Sequence, residues 1–320
     1  MNQILIGDAS NENIKGFLLG LKSKGETPEE VGALVDQMYQ HCAPINIEER
    51  AVDTVGTGGD GANTINISTT AAIIAAASGA KVIKHGNRAA SSKSGSADLL
   101  ENLGININLD GAKVEQVFAK LGIGFCFAPM FHPAMRFAAS ARKELATPTV
   151  FNILGPLANP AKPKAAAIGV ANANMHIVMG QVLAERGVDG FVFRGGDGLD
   201  EITLATKTDV LTIGAGEITS GTIEPGDFGV QTAPISALVG GDGSHNAQIS
   251  REIFSGAKGA YRDACVLNAA AAIAAYDGRS ELSLIKRMQA GVSAATQAID
   301  SGAAKNLVVQ WAEITQRLGA

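Results

Sequence analysis

The sequence predicts an α/β fold built on a mostly parallel sheet, and three observations carry that prediction. The chain opens with two amphipathic helices and no strand. Short apolar runs then alternate with helical stretches from residue 51, and polar or glycine-rich loops follow the strands. Ile14, Phe17, Leu18 and Leu21 make a helical stripe over 11–25. Thr27-Pro28-Glu29-Glu30 starts the second helix: Thr27 caps, Pro28 takes the first position and Glu30 closes a capping box. Its apolar face is Val31, Leu34, Val35 and Met38, up to about Cys42. Residues 51–55 read as a strand, followed by a glycine loop and helix 67–78. Strand 81–84, helix 94–103 and strand 105–109 come next, then helix 111–121, strand 124–127 and helix 133–145. Residues 152–160, rich in Gly, Pro and Asn, read as a packed turn because Leu154 and Leu157 need burial. Strand 165–170, helix 175–186 and strand 189–193 continue the alternation, and an alanine-rich helical tail begins at about 247.

Composition excludes several classes. Net charge is −5 with no basic cluster, which removes the footprint of a nucleic-acid binder. No apolar run reaches the ~20 residues that span a bilayer, and the N-terminus lacks the regions of a signal peptide. Three distant cysteines, Cys42, Cys126 and Cys265, form no metal or disulfide pattern, and a reducing cytoplasm suits them.

The chemistry lies in the loops. Gly56, Gly58 and Gly59 let backbone N–H groups approach an anion and permit positive φ. Asn66, Ser68 and Thr69 stand where a helix begins, a natural phosphate seat. No Lys follows these glycines as a P-loop requires, and Gly56-x-Gly58-x-x-Gly61 meets the dinucleotide spacing only weakly. A tight strand-to-helix turn is the plain alternative. Lys84-His85-Gly86-Asn87-Arg88 gathers two cations, an amide and an imidazole, a clamp for a polyanion or else a solvated loop. Ser91 to Ser96 adds hydroxyls and a second helix start, and a pair of such starts favours the clamp. Asp200 and Glu201 read as an ordinary solvated pair alone, and as Mg²⁺ ligands beside a polyphosphate. Segments 56–69, 84–96 and 194–201 all follow strands, so they meet at one sheet edge. Arg142 sits on a helix whose default is a solvated face, and His41, His132, His176 and His245 read as structural.

Eight motifs stand in the order found in one family. They are Asp53-Thr-Val-Gly-Thr-Gly-Gly-Asp60, Asn66-Ile-Ser-Thr69, Lys84-His-Gly-Asn-Arg88 and Ser91-Ser-Lys-Ser-Gly-Ser-Ala-Asp98, then His132-Pro-Ala-Met135, Arg142-Lys-Glu-Leu145, Phe151-Asn-Ile-Leu-Gly-Pro-Leu-Ala-Asn-Pro160 and Asp197-Gly-Leu-Asp-Glu201. From about residue 11 to its end the chain resembles the anthranilate phosphoribosyltransferase family. The resemblance implies transfer of the phosphoribosyl group of phosphoribosyl pyrophosphate (PRPP) to the amine of anthranilate, a step of tryptophan biosynthesis. It implies a nucleoside phosphorylase/phosphoribosyltransferase-like fold, with a small all-helical domain (1–46 plus about 110–137) on a large mostly parallel-sheet α/β domain (47–109 plus about 138–320). It further implies a homodimer and Mg²⁺, two ions with the pyrophosphate substrate.

Position by position, the resemblance puts Gly56, Gly59, Asp60, Thr64, Asn66, Ile67, Ser68 and Thr69 around PRPP. It adds Lys84, His85, Gly86, Asn87, Arg88, Ser91, Ser92 and Ser96 to the same substrate, with Lys84, Asn87, Ser92 and Ser96 as the second wall and His85 and Gly86 at the junction of the two substrates. Gly56, Asn87, Arg142 and Pro156 fall at the anthranilate site, and Ser68, Asp200 and Glu201 at the metal. His85, Lys84 and Arg142 are the catalytic candidates, and no general base stands out. Two departures matter. Met1 stands about one helical hairpin later than is usual in the family, which leaves the dimer mode open. Arg194-Gly195 replaces a usual His-Gly pair, and Arg194 is expected to face solvent. Competing readings are a pyrimidine nucleoside phosphorylase, a nucleic-acid-binding relative and a purely structural role. The Asp200–Glu201 pair and segment 152–160 favour the transferase, the acidic balance opposes nucleic acid, and folding alone does not require Lys84 or Arg142.

Overall fold

Capping decides where the first helices begin. In the computed structural model, which describes residues 1–89 and 92–319, a short turn α1 (Asn2–Leu5) precedes the two expected helices. These are α2 (Asn11–Lys24), capped by Ser10, and α3 (Pro28–Gln40), where Thr27 and Glu30 make the reciprocal capping box. The alternating region follows with β1 (Val52–Gly56), α4 (Ile67–Ala77), β2 (Val82–Gly86), α5 (Ser96–Asn102), α6 (Gly111–Leu121) and β3 (Ile123–Phe127). A helical stretch then runs through α7 (Ala128–Phe131), a 3₁₀ turn (Pro133–Ala138), α8 (Ala139–Leu145) and α9 (Phe151–Leu157). The chain returns to the sheet with β4 (Ala165–Gly169), α10 (Ala173–Glu185) and β5 (Asp189–Gly195). The hairpin β6 (Thr208–Gly214) and β7 (Glu217–Ile223) precedes the helical tail α11 (Gly243–Phe254), α12 (Ala260–Asp277), α13 (Leu284–Asp300) and α14 (Ala303–Gly319).

The strands form one sheet in the order β3-β2-β1-β4-β5-β6-β7, parallel from β3 to β5 and antiparallel beyond. The chain winds from β1 toward β2 and β3 on one side and through β4 toward β5 on the other. The loops after β1 and β4 therefore diverge, leaving a crevice at the switch point, the usual ligand position in such sheets.

Strands β4 and β5 feed two cores. Ala165, Ala167, Phe191 and Phe193 enter one cluster, and Ala166, Ile168 and Val192 the other, as a period of two demands. The first cluster is covered by α4, α12, α13 and α14, with α4 and α12 meeting through buried alanines. The second is covered by α3, α9 and α10, with α2 packed on α8. The segment 110–137, expected with the small helical domain, makes contacts on both sides. Val114, Val117 and Phe118 of α6 join the first cluster, beside β3 and α14, whereas the 3₁₀ turn and α8 pack on α1 and α2.

Two local expectations are corrected, and one element was not foreseen. Residues 105–109 form no strand, although Ile105, Ile107 and Leu109 are buried in alternation: the segment lies on the core without a ladder partner. Residues 151–157 are helical, with Pro156 in the last turn, where its missing N–H breaks little. The β6–β7 hairpin escaped the sequence because its outer strand is mostly exposed and polar. Its two-residue loop, Ala215-Gly216, has φ of 51° and 80°, the left-handed pair that such a tight connection requires.

Candidate active site

The crevice is built by what its glycines leave open. Gly56 and Gly169 end β1 and β4 and face each other in register. A Cβ on Gly56 would strike the Asp200 carboxylate, and one on Gly169 would strike the Asp200 backbone carbonyl. Only glycine at both strand ends lets the loop after β5 drop into the crevice. Gly58 N–H donates to Asp200 Oδ2 at 2.6 Å, and Ser68 N–H, in the first turn of α4, donates to Glu201 Oε1 at 3.1 Å. Gly58, Gly59 and Gly61 have φ of 71°, 85° and 73°, which a side chain would strain. The three segments expected at one edge thus converge.

The carboxylates are crowded. Burial and the neighbouring charge of Asp60 push Asp200 up to about 7, against the pull of the Gly58 N–H. Burial, then the charge of Asp200, raise Glu201 well above the usual carboxylate range, opposed by Lys84. The solvated-loop alternative fails for Lys84, which is 1 % exposed. Its Nζ donates to Thr54 O at 2.5 Å and reaches Ser68 Oγ at 3.5 Å. Burial lowers its pKa, while Asp53 and Glu201 raise it.

The second wall is formed by Gly86, Gly95 and Ser96. A Cβ on Gly86 would press on the Phe125 ring and Ser96, and one on Gly95 would enter the backbone of 87–89. Thr69 Oγ1 donates to Ser96 Oγ at 3.0 Å, joining the starts of α4 and α5. Asn87 is exposed, its Oδ1 accepting from Arg88 N–H. Ser92 is exposed and donates to Ser94 O, and Ser91 lies outside the described residues. Two of the residues expected around PRPP are engaged elsewhere. Arg88 pairs with Asp98 and with Glu101, and the Asn66 amide is held by Ser94 and Asn246. Ile67 is buried, and Thr64 pairs with Val239 in an isolated bridge. Arg194 does not face solvent alone: its Nε donates to Ala171 O at 2.8 Å, and Ala171 N–H donates to Thr57 Oγ1 beside the glycines.

The other side of the crevice rests on α9. His85 donates from Nδ1 to Gly155 O at 2.9 Å, and His132 donates from Nε2 to Ala158 O at 2.8 Å. Their ring centroids lie 5.2 Å apart. Burial, then His132, hold His85 down at about 3, so it stays neutral and Nδ1 carries the proton. His85 Nε2 is buried with no hydrogen-bond partner among the described residues. Arg142 is exposed, its guanidinium 5.9 Å from the Phe151 ring centroid and without a carboxylate partner among the described residues.

Sequence reasoning missed four residues here. Asp53 and Asn159 stand inside recognised motifs, but nothing in the sequence assigns either a role. Asp53 accepts from His85 N–H and from Asn159 Nδ2, and Asn159 also donates to Ile83 O, which ties the end of the α9 segment to β1 and β2. His132, isolated in the sequence, is the neighbour of His85. Asn246 lies far along the chain, and its one local signal is the Gly240-Gly241-Asp242 run that caps α11.

The class follows from the fold and from two matches: the helical bundle domain of the glycosyl transferase family matches residues 1–42, and its a/b domain residues 48–305. The anthranilate phosphoribosyltransferase of Rhodococcus jostii (strain RHA1) is 49% identical over 318 residues, 99% of this chain and 88% of that protein. That of Nocardioides sp. (strain ATCC BAA-499 / JS614) is 50% identical over 317 residues, 99% of this chain and 93% of that protein. The crystal structure of the Thermus thermophilus enzyme superposes with a TM-score of 0.91 at 38% identity, covering 98% of this chain and 93% of that one. The Saccharomyces cerevisiae enzyme in complex with PRPP and Mg gives 0.87 at 28% identity, covering 96% and 86%. The chain belongs to the anthranilate phosphoribosyltransferase family.

Proposed function

We propose that this chain transfers the phosphoribosyl group of PRPP to the amine of anthranilate, releasing pyrophosphate. The observation that carries the reading is the placement of Asp200 and Glu201 on the backbone N–H groups of Gly58 and Ser68 at the switch point. Mg²⁺ takes oxygen ligands, keeps several waters, and is bound by one or two carboxylates together with substrate phosphates. Asp200, Glu201 and the Ser68 hydroxyl suit that role. Two such ions, a homodimer and a cytoplasmic setting belong to the same reading.

When bound, Mg²⁺ would offset the charge that develops on the departing pyrophosphate. The N–H groups of the glycine loop and the Lys84 ammonium act on the same charge without reorganising. Gly59, Asp60, Thr69 and Ser96 surround the phosphates and ribose, and Gly86 and Asn87 lie toward the acceptor. Anthranilate presents a neutral amine, a nucleophile that needs no activation, and a carboxylate that the free guanidinium of Arg142 would pair with. Pro156 bounds the ring. His85 is too weak a base to hold a proton near neutrality, so its part is to fix the α9 turn through Gly155. The protein's main work is alignment of amine and ribose carbon.

The test is anthranilate fluorescence with PRPP and Mg²⁺, with EDTA as control. Loss of signal that requires all three components is the expected result. No turnover, with reaction of a pyrimidine nucleoside and phosphate in a parallel tube, overturns the reading in favour of a phosphorylase.

A further inference from the structure

The segment joining the 3₁₀ turn Ile235–Leu238 to α11 lies across the far half of the glycine loop. Ile65 N–H donates to Leu238 O at 2.9 Å, Gly240 N–H donates to Asn63 O at 2.8 Å, and Thr64 pairs antiparallel with Val239 between them. From the other side, the Tyr261 hydroxyl of α12 donates to Val239 O at 2.8 Å. The strap is close: a Cβ on Gly240 would stand 2.6 Å from Asn246 Oδ1 and 2.8 Å from Ile65 N.

Asn246, on the first turn of α11, is 1 % exposed. Its Oδ1 accepts from Gly241 N–H at 2.8 Å, and its Nδ2 donates to Asn66 Oδ1 at 2.9 Å. Asn66 Oδ1 also accepts from Ser94 Oγ at 2.9 Å, and Asn66 Nδ2 donates to Ser94 O at 3.0 Å. The amide orientations are mutually fixed, because flipping either would set carbonyl against carbonyl. One side-chain chain thus links the start of α4, the turn that opens α5, and α11. Asn66 makes no side-chain cap on α4, since its amide is held in this link.

We propose that Asn246 is a positioning residue for the PRPP seat: by locking the Asn66 amide against Ser94, it fixes the two helix starts in the relation that a bound diphosphate requires. The inference rests on the phosphoribosyl transfer proposed above. The donors on both sides of the seat, Ser68 and Thr69 on α4 and Ser96 on α5, are joined directly by the Thr69–Ser96 hydroxyl pair. Donors fixed before the ligand arrives bind it without an ordering cost.

Asn246→Asp separates this role from simple packing. It keeps shape and the acceptor for Gly241 N–H, but faces a carboxylate toward Asn66 Oδ1. The pair can re-form only if the Asn66 amide flips, which breaks its bond to Ser94 O. The expected result is a KM for PRPP about tenfold higher, the effect of one buried hydrogen bond, with an equal loss of PRPP affinity by calorimetry and an unchanged KM for anthranilate. Tyr261→Phe, which loosens the strap from its outer side and leaves the amides intact, should raise the PRPP KM about threefold. An unaltered PRPP affinity in both variants overturns the inference, and so does a parallel rise of both KM values with a falling Tm, the mark of a merely structural role. If the wild-type protein turns over no anthranilate, the reading beneath fails and takes this inference with it. If the wild type is active and Asn246→Asp matches it, the inference alone fails.

Discussion

His85 and His132 lie side by side, each giving one ring proton to a carbonyl of the α9 turn. Neither bond can be read from sequence, since the partners are backbone atoms brought in by tertiary folding. The pH consequence has a definite sign. His85 is held at about 3 when folded, below its ordinary 6.5. Below pH 6.5 the unfolded chain therefore takes up a proton that the folded one refuses, and stability is lost as pH falls. Asp53 acts oppositely: raised to about 6 by burial, it lowers stability as pH rises from its ordinary 3.8 toward 6. The comparison must therefore be a difference between variant and wild type. His85→Gln should remove about 1 kcal/mol of the stability lost between pH 7.5 and 5.5, as measured by urea unfolding at both values, and identical pH dependences would show that His85 takes up its proton equally in the folded and the unfolded chain. The residues legible in sequence were those whose chemistry is local, namely the glycines and the acidic pair. Asp53, Asn159 and Asn246 act on distant segments, and nothing adjacent to them announces it.

At the scale of elements, the parallel strands and most helices were legible because caps and periodicity coincide there: Thr27 with Glu30, Asp110 before α6, glycine after α5 and α6. The failures have separate causes. Residues 105–109 carry strand-like alternation but find no neighbour, and α9 hides behind Gly155 and Pro156. The β6–β7 hairpin is too polar to show a buried face. The strand ends are where element and site meet. Gly169→Ala places a methyl group against the Asp200 backbone, so the β5 loop must retreat from Gly58. A stability loss of about 1–3 kcal/mol is expected from overpacking, together with at least a roughly tenfold fall in kcat/KM. Thermal unfolding and steady-state assays measure the two together, and full activity at an unchanged Tm would mean that the carboxylate pair need not sit where the structure has it.

Across the whole molecule, the helical unit and the sheet are tied by Tyr39, whose hydroxyl donates from α3 to Leu157 O of α9 at 3.0 Å. Tyr39→Phe leaves that carbonyl without its partner and should lower stability by about 1 kcal/mol. The same change should raise the KM for anthranilate above that for PRPP, because α9 carries Pro156 while the glycine loop is untouched; equal effects on both substrates would detach Tyr39 from the acceptor side. Helix α4, which begins in the cradle, packs its buried alanines on those of α12, and Gly291 of α13 lies too close to Ala270 for any side chain. A centre made from the smallest side chains admits no enlargement without pushing helices apart. Inheritance therefore has little freedom there: the lineage can vary its surface and its loops, while the middle of the protein is left to exchange alanine only for residues as small.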